Sequence, residues 1–212
     1  IHCDLTTTDS VAIQIDPEAS GSRLSRLEIS GGYYYGIFLQ TDWDQRSNPG
    51  GTGASDIVIE DVKIHDTGRD GIKITPKCDH VTIRRSEIWN TGAIYPAGTS
   101  LDDKNAEGID NVNGSFMTVE DSYIHHTATT GLYFKGGATD VIVQRNRIEN
   151  TGAAGILVGF DTSPEMLVRA RARCDAAGVA ADLSLQGFED FHYDHPFAAT
   201  ILPVGSFTLI GD

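Results

Sequence analysis

Basic residues are scarce in this sequence. Lys and Arg number 16 against 30 Asp and Glu in 212 residues, a formal charge of −14. Nucleic acid and anionic membrane surfaces both reward basic proteins, so neither is expected as the main partner. Long apolar runs are missing too. None approaches the 18 residues of a membrane-spanning helix, so no membrane span is expected. Cysteine is sparse, with Cys3, Cys78 and Cys174 far apart and in no metal-finger spacing. A disulfide scaffold is thereby excluded, while one disulfide with a spare thiol and three thiols both stay open. Aromatics are only 8% of the chain, whereas glycine occurs 23 times, about one residue in nine against an ordinary ~7%. That combination fits a many-turned β structure better than a helix bundle. The opening Ile1-His2-Cys3-Asp4 is not a secretory signal, so the chain is expected to be a mature protein or an excised piece.

What the sequence does contain is an internal repeat. Ile57-Val58-Ile59, Val62-Lys63-Ile64, Thr67-Gly68 and Gly71-Ile72-Lys73-Ile74 form one unit. Similar segments recur from Val81, Met117 and Val141, and upstream Leu24, Ile29 and Gly36-Ile37 fill matching places. The period is about 24 residues, with insertions of about 12 between Gly92 and Gly108 and about 11 within Asp42 to Gly53. Ala12-Ile13-Gln14-Ile15 begins one further turn, so about six coils are expected. Apolar residues alternate over three short stretches per unit, which is strand periodicity. Strands this short at this spacing cannot form hairpins, but each can pair in parallel with its counterpart one turn away. The predicted apolar ladders are Ile59, Ile83, Val119 and Val143; Ile64, Ile88, Ile124 and Ile148; and Ile72, Ile109, Leu132 and Ile156. Asp66, Asn90, His126 and Asn150 beside Thr or Thr-Gly suit tightly turned corners. The fold class is therefore all-β, a parallel β-helix spanning 1–162.

Segments such as "VIVQRNRIENTGAAGILV" and "IVIEDVKIHDTGRDGIKI" resemble the right-handed parallel β-helix (pectate-lyase-like) superfamily over roughly residues 11 to 162. The resemblance implies a right-handed coil and a carbohydrate-active protein, secreted or at the cell surface: a polysaccharide lyase, glycoside hydrolase or epimerase. Several lyases of that kind use calcium. Asn105-Ala106-Glu107-Gly108-Ile109-Asp110 also looks like the Asn-Thr-Asp-Gly-(Ile/Val) motif of polygalacturonase-type glycosidases, with Glu107 in place of the aspartate. The Asp-Asp pair those enzymes carry on the next turn is replaced here by Thr129-Thr130-Gly131, so the likeness implies only where a site lies. Residues 163–212 break the repeat. Ser163-Pro164-Glu165 opens a predicted helix over about 164–177, and the whole segment is expected to cap the last coil.

A stacked coil sets the outward residues of one strand in a row, so a site is read down columns. The strand opening with glycine is flanked by both insertions. The residue before that glycine is Tyr35, Asp70, Glu107, Thr130 and Ala154 in successive turns. Two places after it come Phe38, Lys73, Asp110, Tyr133 and Leu157, and four after it Gln40, Thr75, Val112, Lys135 and Gly159. Asp70, Lys73, Glu107, Asp110, Tyr133 and Lys135 are thus expected on one face, with Asp102, Asp103 and Lys104 above them. A lyase needs a base, here Lys73 or Lys135, a proton donor such as Tyr133, and a cation on the uronate carboxylate. Asp102, Asp103, Glu107 and Asp110 are candidate oxygen ligands for calcium. Substrate-binding candidates are Phe38, Lys104, Lys135, Trp89 and His125, the last two in a His65, Trp89, His125, Glu149 column that can stack a sugar. Asn111 stands in the inward apolar column of Ile15, Leu39, Ile74, Phe134 and Val158. It is either a buried amide with partners or turned outward by a bulge.

These expectations converge on a polysaccharide lyase or related uronate-acting enzyme, with a groove over residues 70 to 135 and a polysaccharide as partner. The alternatives are a glycoside hydrolase using Asp70, Glu107 and Asp110, through carboxylates whose like charges push their pKa values apart, or a non-catalytic glycan-binding or structural module.

Overall fold

A computed structural model describes residues 1–41, 52–136 and 138–158, together with the backbone of 207–210. The helix expected over 164–177, Cys174 and nearly all of 163–212 lie outside the described residues, as does most of the insertion at Asp42 to Gly53. The described cysteines, Cys3 and Cys78, are free thiols.

The chain winds past three six-stranded parallel sheets in a fixed order. The first sheet holds His2–Cys3, Glu28–Gly31, Lys63–His65, Glu87–Trp89, Tyr123–His125 and Arg147–Glu149. The second holds Val11–Ile15, Tyr35–Leu39, Ile72–Ile74, Ile109–Val112, Leu132–Lys135 and Ile156–Val158. The third holds Arg23–Ser25, Val58–Glu60, Thr82–Arg84, Thr118–Glu120, Val141–Gln144 and Phe207–Ile210. Each strand pairs with the one a full turn away, as β-branched stretches too short for hairpins must. The register places Ile64 beside Ile88, Ile88 beside Ile124, and Ile124 beside Ile148. The other two ladders align as the repeat predicts. Ile29, Ile37, Ile59, Ile64, Ile72, Ile83, Ile88, Ile109 and Ile124 are fully buried, so like side chains stack into one continuous apolar core. Among the described residues no helix is long and apolar enough to cross a membrane.

Two features depart from the expected turn chemistry. Asp66, Asn90, His126 and Asn150 do have positive φ, but a second corner column reads Arg26, Asp61, Arg85, Asp121 and Arg145, with φ between 48° and 54°. Left-handed backbone is unusual for arginine. Here the column alternates in charge, and Arg85 clamps Asp61 with Nε and Nη2 at 2.9 and 3.0 Å. Arg145 holds Asp121 in the same way. The second departure concerns Gly36, Gly71, Gly108, Gly131 and Gly155, at the start of five of the six strands of the second sheet, none of which has positive φ. A Cβ at Gly71 would lie 2.7 Å from the Gly108 carbonyl oxygen, and one at Gly108 would lie 2.6 Å from that of Gly131. These glycines let coils approach.

Asn111 points inward, in register with Ile74 and Phe134 and without a bulge. It is fully buried. Its Oδ1 accepts from the Gly114 N–H at 2.7 Å and its Nδ2 donates to the Gly114 carbonyl at 2.8 Å. The side chain closes the turn that leaves the strand.

Candidate active site

The outward row of the second sheet runs Gln14, Phe38, Lys73, Asp110, Tyr133 and Leu157. Parallel strands about 4.8 Å apart thus bring Lys73 and Asp110 side by side although 37 residues separate them. Lys73 Nζ donates to Asp110 Oδ2 and lies 3.6 Å from Asp70 Oδ2. Lys135 Nζ reaches the same Asp110 oxygen at 3.0 Å. Asp70 Oδ1 accepts the Glu107 backbone N–H at 3.0 Å. The Asn105 amide, oriented by its two acceptors, donates to Asp70 Oδ1 at 3.2 Å and to Glu107 Oε2 at 2.8 Å. Asp70, Glu107 and Asp110 each offer an oxygen within 4.8 Å of the others. Asp70 and Asp110 are fully buried, and Glu107 and Lys73 are 6% exposed. Asp70 Oδ2 and Asp110 Oδ1 make no hydrogen bond.

Burial and the neighbouring Glu107 push the Asp70 carboxyl well above the usual carboxylate range. Burial alone would favour the neutral amine of Lys73, but Asp70 and Asp110 outweigh it and hold the ammonium above the ordinary lysine value. Burial, then the charges of Asp110 and Glu107, push the Tyr133 phenol up to about 12. The three carboxylates carry −3 and the two ammoniums +2. One proton on Asp70 therefore brings the cluster to zero, which a dry interior favours.

Above this layer opens a cleft of about 370 Å³, lined by Glu107, Tyr133, Lys135, Asn105, Lys104 and Asp102 among others. Lys135 Nζ sits 4.4 Å over the centre of the Tyr133 ring. Asp70, Lys73 and Asp110 lie beneath and do not line it. Of the two candidate bases, Lys73 is thus enclosed and held protonated, and only Lys135 reaches the cleft. A wider groove of about 700 Å³ borders Asp61, Arg85, Asp121 and Arg145, but there the charges are paired with one another.

The family model for the right-handed β-helix region matches residues 44–170, which is more than half of the chain and includes the whole carboxylate cluster. The chain belongs to the right-handed β-helix family. No curated protein matches it. A β-helix domain is compatible with a carbohydrate-active protein. The family's fold is a scaffold that hosts many functions, and the chemistry lies in the cleft.

Calcium, which likeness to β-helix lyases implies, does not suit the residues present. Asp102 and Asp103 are exposed on the insertion, where Asp103 accepts from the Ser100 hydroxyl at 2.7 Å. The acidic cluster among the described residues is Asp70, Glu107 and Asp110 instead, and Asp110 already holds two ammoniums, those of Lys73 and Lys135. Trp89 and His125 stand on the first sheet, away from the cleft. The His65 and Trp89 rings stack at 4.3 Å and Trp89 and His125 at 5.8 Å, so their faces meet each other rather than a sugar. Phe38 shares the outward row but packs on Tyr35 at 5.2 Å and does not line the cleft. Asn105, which bridges two carboxylates, had only its place in the Asn-Ala-Glu-Gly-Ile-Asp stretch to mark it.

Proposed function

We propose that the protein cleaves a uronate-containing polysaccharide by β-elimination in this cleft, and that it works outside the cell, where such polymers occur. The observation that carries this is that Glu107, Tyr133 and Lys135 converge on one cleft. Elimination needs a base for the proton beside the carboxylate, an acid for the leaving oxygen and a cation on the carboxylate. Lys135 and Lys104 would neutralise the substrate carboxylate. Glu107 would take the C5 proton, the C4–O4 bond would break, and Tyr133 would protonate the departing O4, leaving a C4–C5 double bond. Solvent then returns the proton from Glu107 to Tyr133. The Tyr133 phenol is in the protonated form from which a general acid must start. Hydrolysis would use two carboxylates at the substrate; Asp70 and Asp110 lie below the cleft, and Asp102, which shares the lining with Glu107, is exposed on the insertion.

The test is incubation with a panel of polyuronides and neutral glycans, with and without calcium, following absorbance of unsaturated ends beside reducing ends. Unsaturated products are expected from at least one polyuronide. Reducing ends alone would establish hydrolysis instead, and measurable binding without turnover would make the protein a glycan-binding module.

A further inference from the structure

The buried carboxylates have a cation of their own, and it belongs to the chain. Asp70, Glu107 and Asp110 present oxygens within 4.8 Å of one another. That is about twice a calcium–oxygen bond of ~2.4 Å, the widest spacing of two ligands on one ion. Asp70 Oδ2 and Asp110 Oδ1 are buried without hydrogen bonds, a costly arrangement unless positive charge faces them. Lys73 Nζ supplies that charge to Asp70 Oδ2, 3.6 Å away, and to the Asp110 carboxylate through its other oxygen, Oδ2. Lys135 does not substitute for it, since its ammonium pairs with Asp110 alone and its side chain is 29% exposed.

The geometry points to Lys73 as a built-in substitute for a divalent ion: with it the cluster excludes metal, and without its ammonium Asp70, Glu107 and Asp110 become a divalent-cation site. The charges agree. Removing Lys73 takes away the one ammonium that faces both Asp70 and Asp110, and a divalent ion would restore positive charge there. This holds whether or not the cleft is catalytic.

Chelator-treated wild type, Lys73→Met and Lys73→Arg are titrated with calcium chloride by calorimetry and with terbium chloride under tyrosine excitation. Tyr35 is the nearby sensitiser, its ring centre 5.7 Å from Lys73 Nζ. Lys73→Met is expected to bind one ion at least about tenfold more tightly than wild type, to gain Tm with calcium, and to lose both effects with Asp110→Asn added. Wild type and Lys73→Arg should show neither. Stoichiometric calcium binding by wild type that Asp110→Asn removes would overturn the inference, as would a folded Lys73→Met protein that binds no ion. If Lys73→Met does not fold in chelator, refolding in calcium decides. Recovery with the ion supports the inference, and no recovery while Lys73→Arg folds overturns it.

Discussion

The backbone N–H of Glu107 donates to Oδ1 of Asp70 across 3.0 Å, tying the fourth coil to the third beneath the cleft. Asp70 is enclosed with Glu107, Asp110 and Lys73, and its burial and Glu107 raise its pKa. The folded protein therefore keeps a proton that the unfolded chain releases above about pH 4. Unfolding then sheds a proton, so stability falls as pH rises from there through the raised folded value, by at most about 1.4 kcal/mol per pH unit. Asp70→Asn keeps the acceptor and never ionises. Its urea-derived stability, compared with that of wild type between pH 4 and 8, should gain on wild type as pH rises. Asp61, Asp66, Asp121 and Glu149, whose lowered pKa values act in the opposite sense, are common to both proteins and cancel. Parallel curves would mean that Asp70 is ionised in the fold.

The columns were legible because a stacked coil repeats its register, so spacing alone put Lys73 beside Asp110 and Asp110 beside Tyr133. Depth was not legible. That Lys73 lies under the cleft while Lys135 opens into it depends on what packs above each, and the insertion that lines the cleft, with Leu101, Asp102, Lys104 and Asn105, carries no period. The same holds for Asp102 and Asp103, whose place no repeat determines. The Trp89 column was correct in register, yet ring orientation is a side-chain property that spacing cannot express. Arginine at left-handed corners was invisible to turn propensities, because an aspartate one coil away compensates it.

The glycine column separates close approach from backbone freedom. Gly108→Ala would press a methyl within 2.6 Å of the Gly131 carbonyl oxygen, which cannot swing aside as a side chain can. A loss of about 2–3 kcal/mol is expected, read from denaturant midpoints at constant slope. At Gly155 the nearest described atom, Ile148 Cγ2, is 3.7 Å from the added methyl, so Gly155→Ala should stay within about 0.5 kcal/mol of wild type. Equal losses at both positions would mean that some other property of the glycines governs.

Asn111 tests whether an apolar column tolerates an apolar residue at its one exception. Asn111→Leu restores the pattern of Ile74 and Phe134, and burying leucine is worth about 2 kcal/mol. It also strips the Gly114 N–H and carbonyl of their partners, at about 1–3 kcal/mol for each buried group, in a site shaped for a smaller side chain. The polar loss should win, for a net destabilisation of about 1–3 kcal/mol by urea unfolding. A more stable variant would show that the turn finds other partners.

Tyr133 carries the sharpest prediction of the proposed chemistry. Its phenol, pushed up to about 12, stays protonated across the working range of an enzyme, so no alkaline limb below about pH 11 should come from it. Tyr133→Phe keeps the ring under Lys135 and removes only the hydroxyl. The expected result is a fall of about 10²–10⁴-fold in kcat for release of unsaturated ends, with KM and Tm little changed, because the ring and its cation contact survive. Lys135→Gln should chiefly raise KM for the polyuronide and leave neutral-glycan binding alone, since it removes charge from the cleft. Full turnover by Tyr133→Phe would move the proton donor elsewhere, and Glu107, bonded to Asn105 at the same cleft, would be the next group to replace.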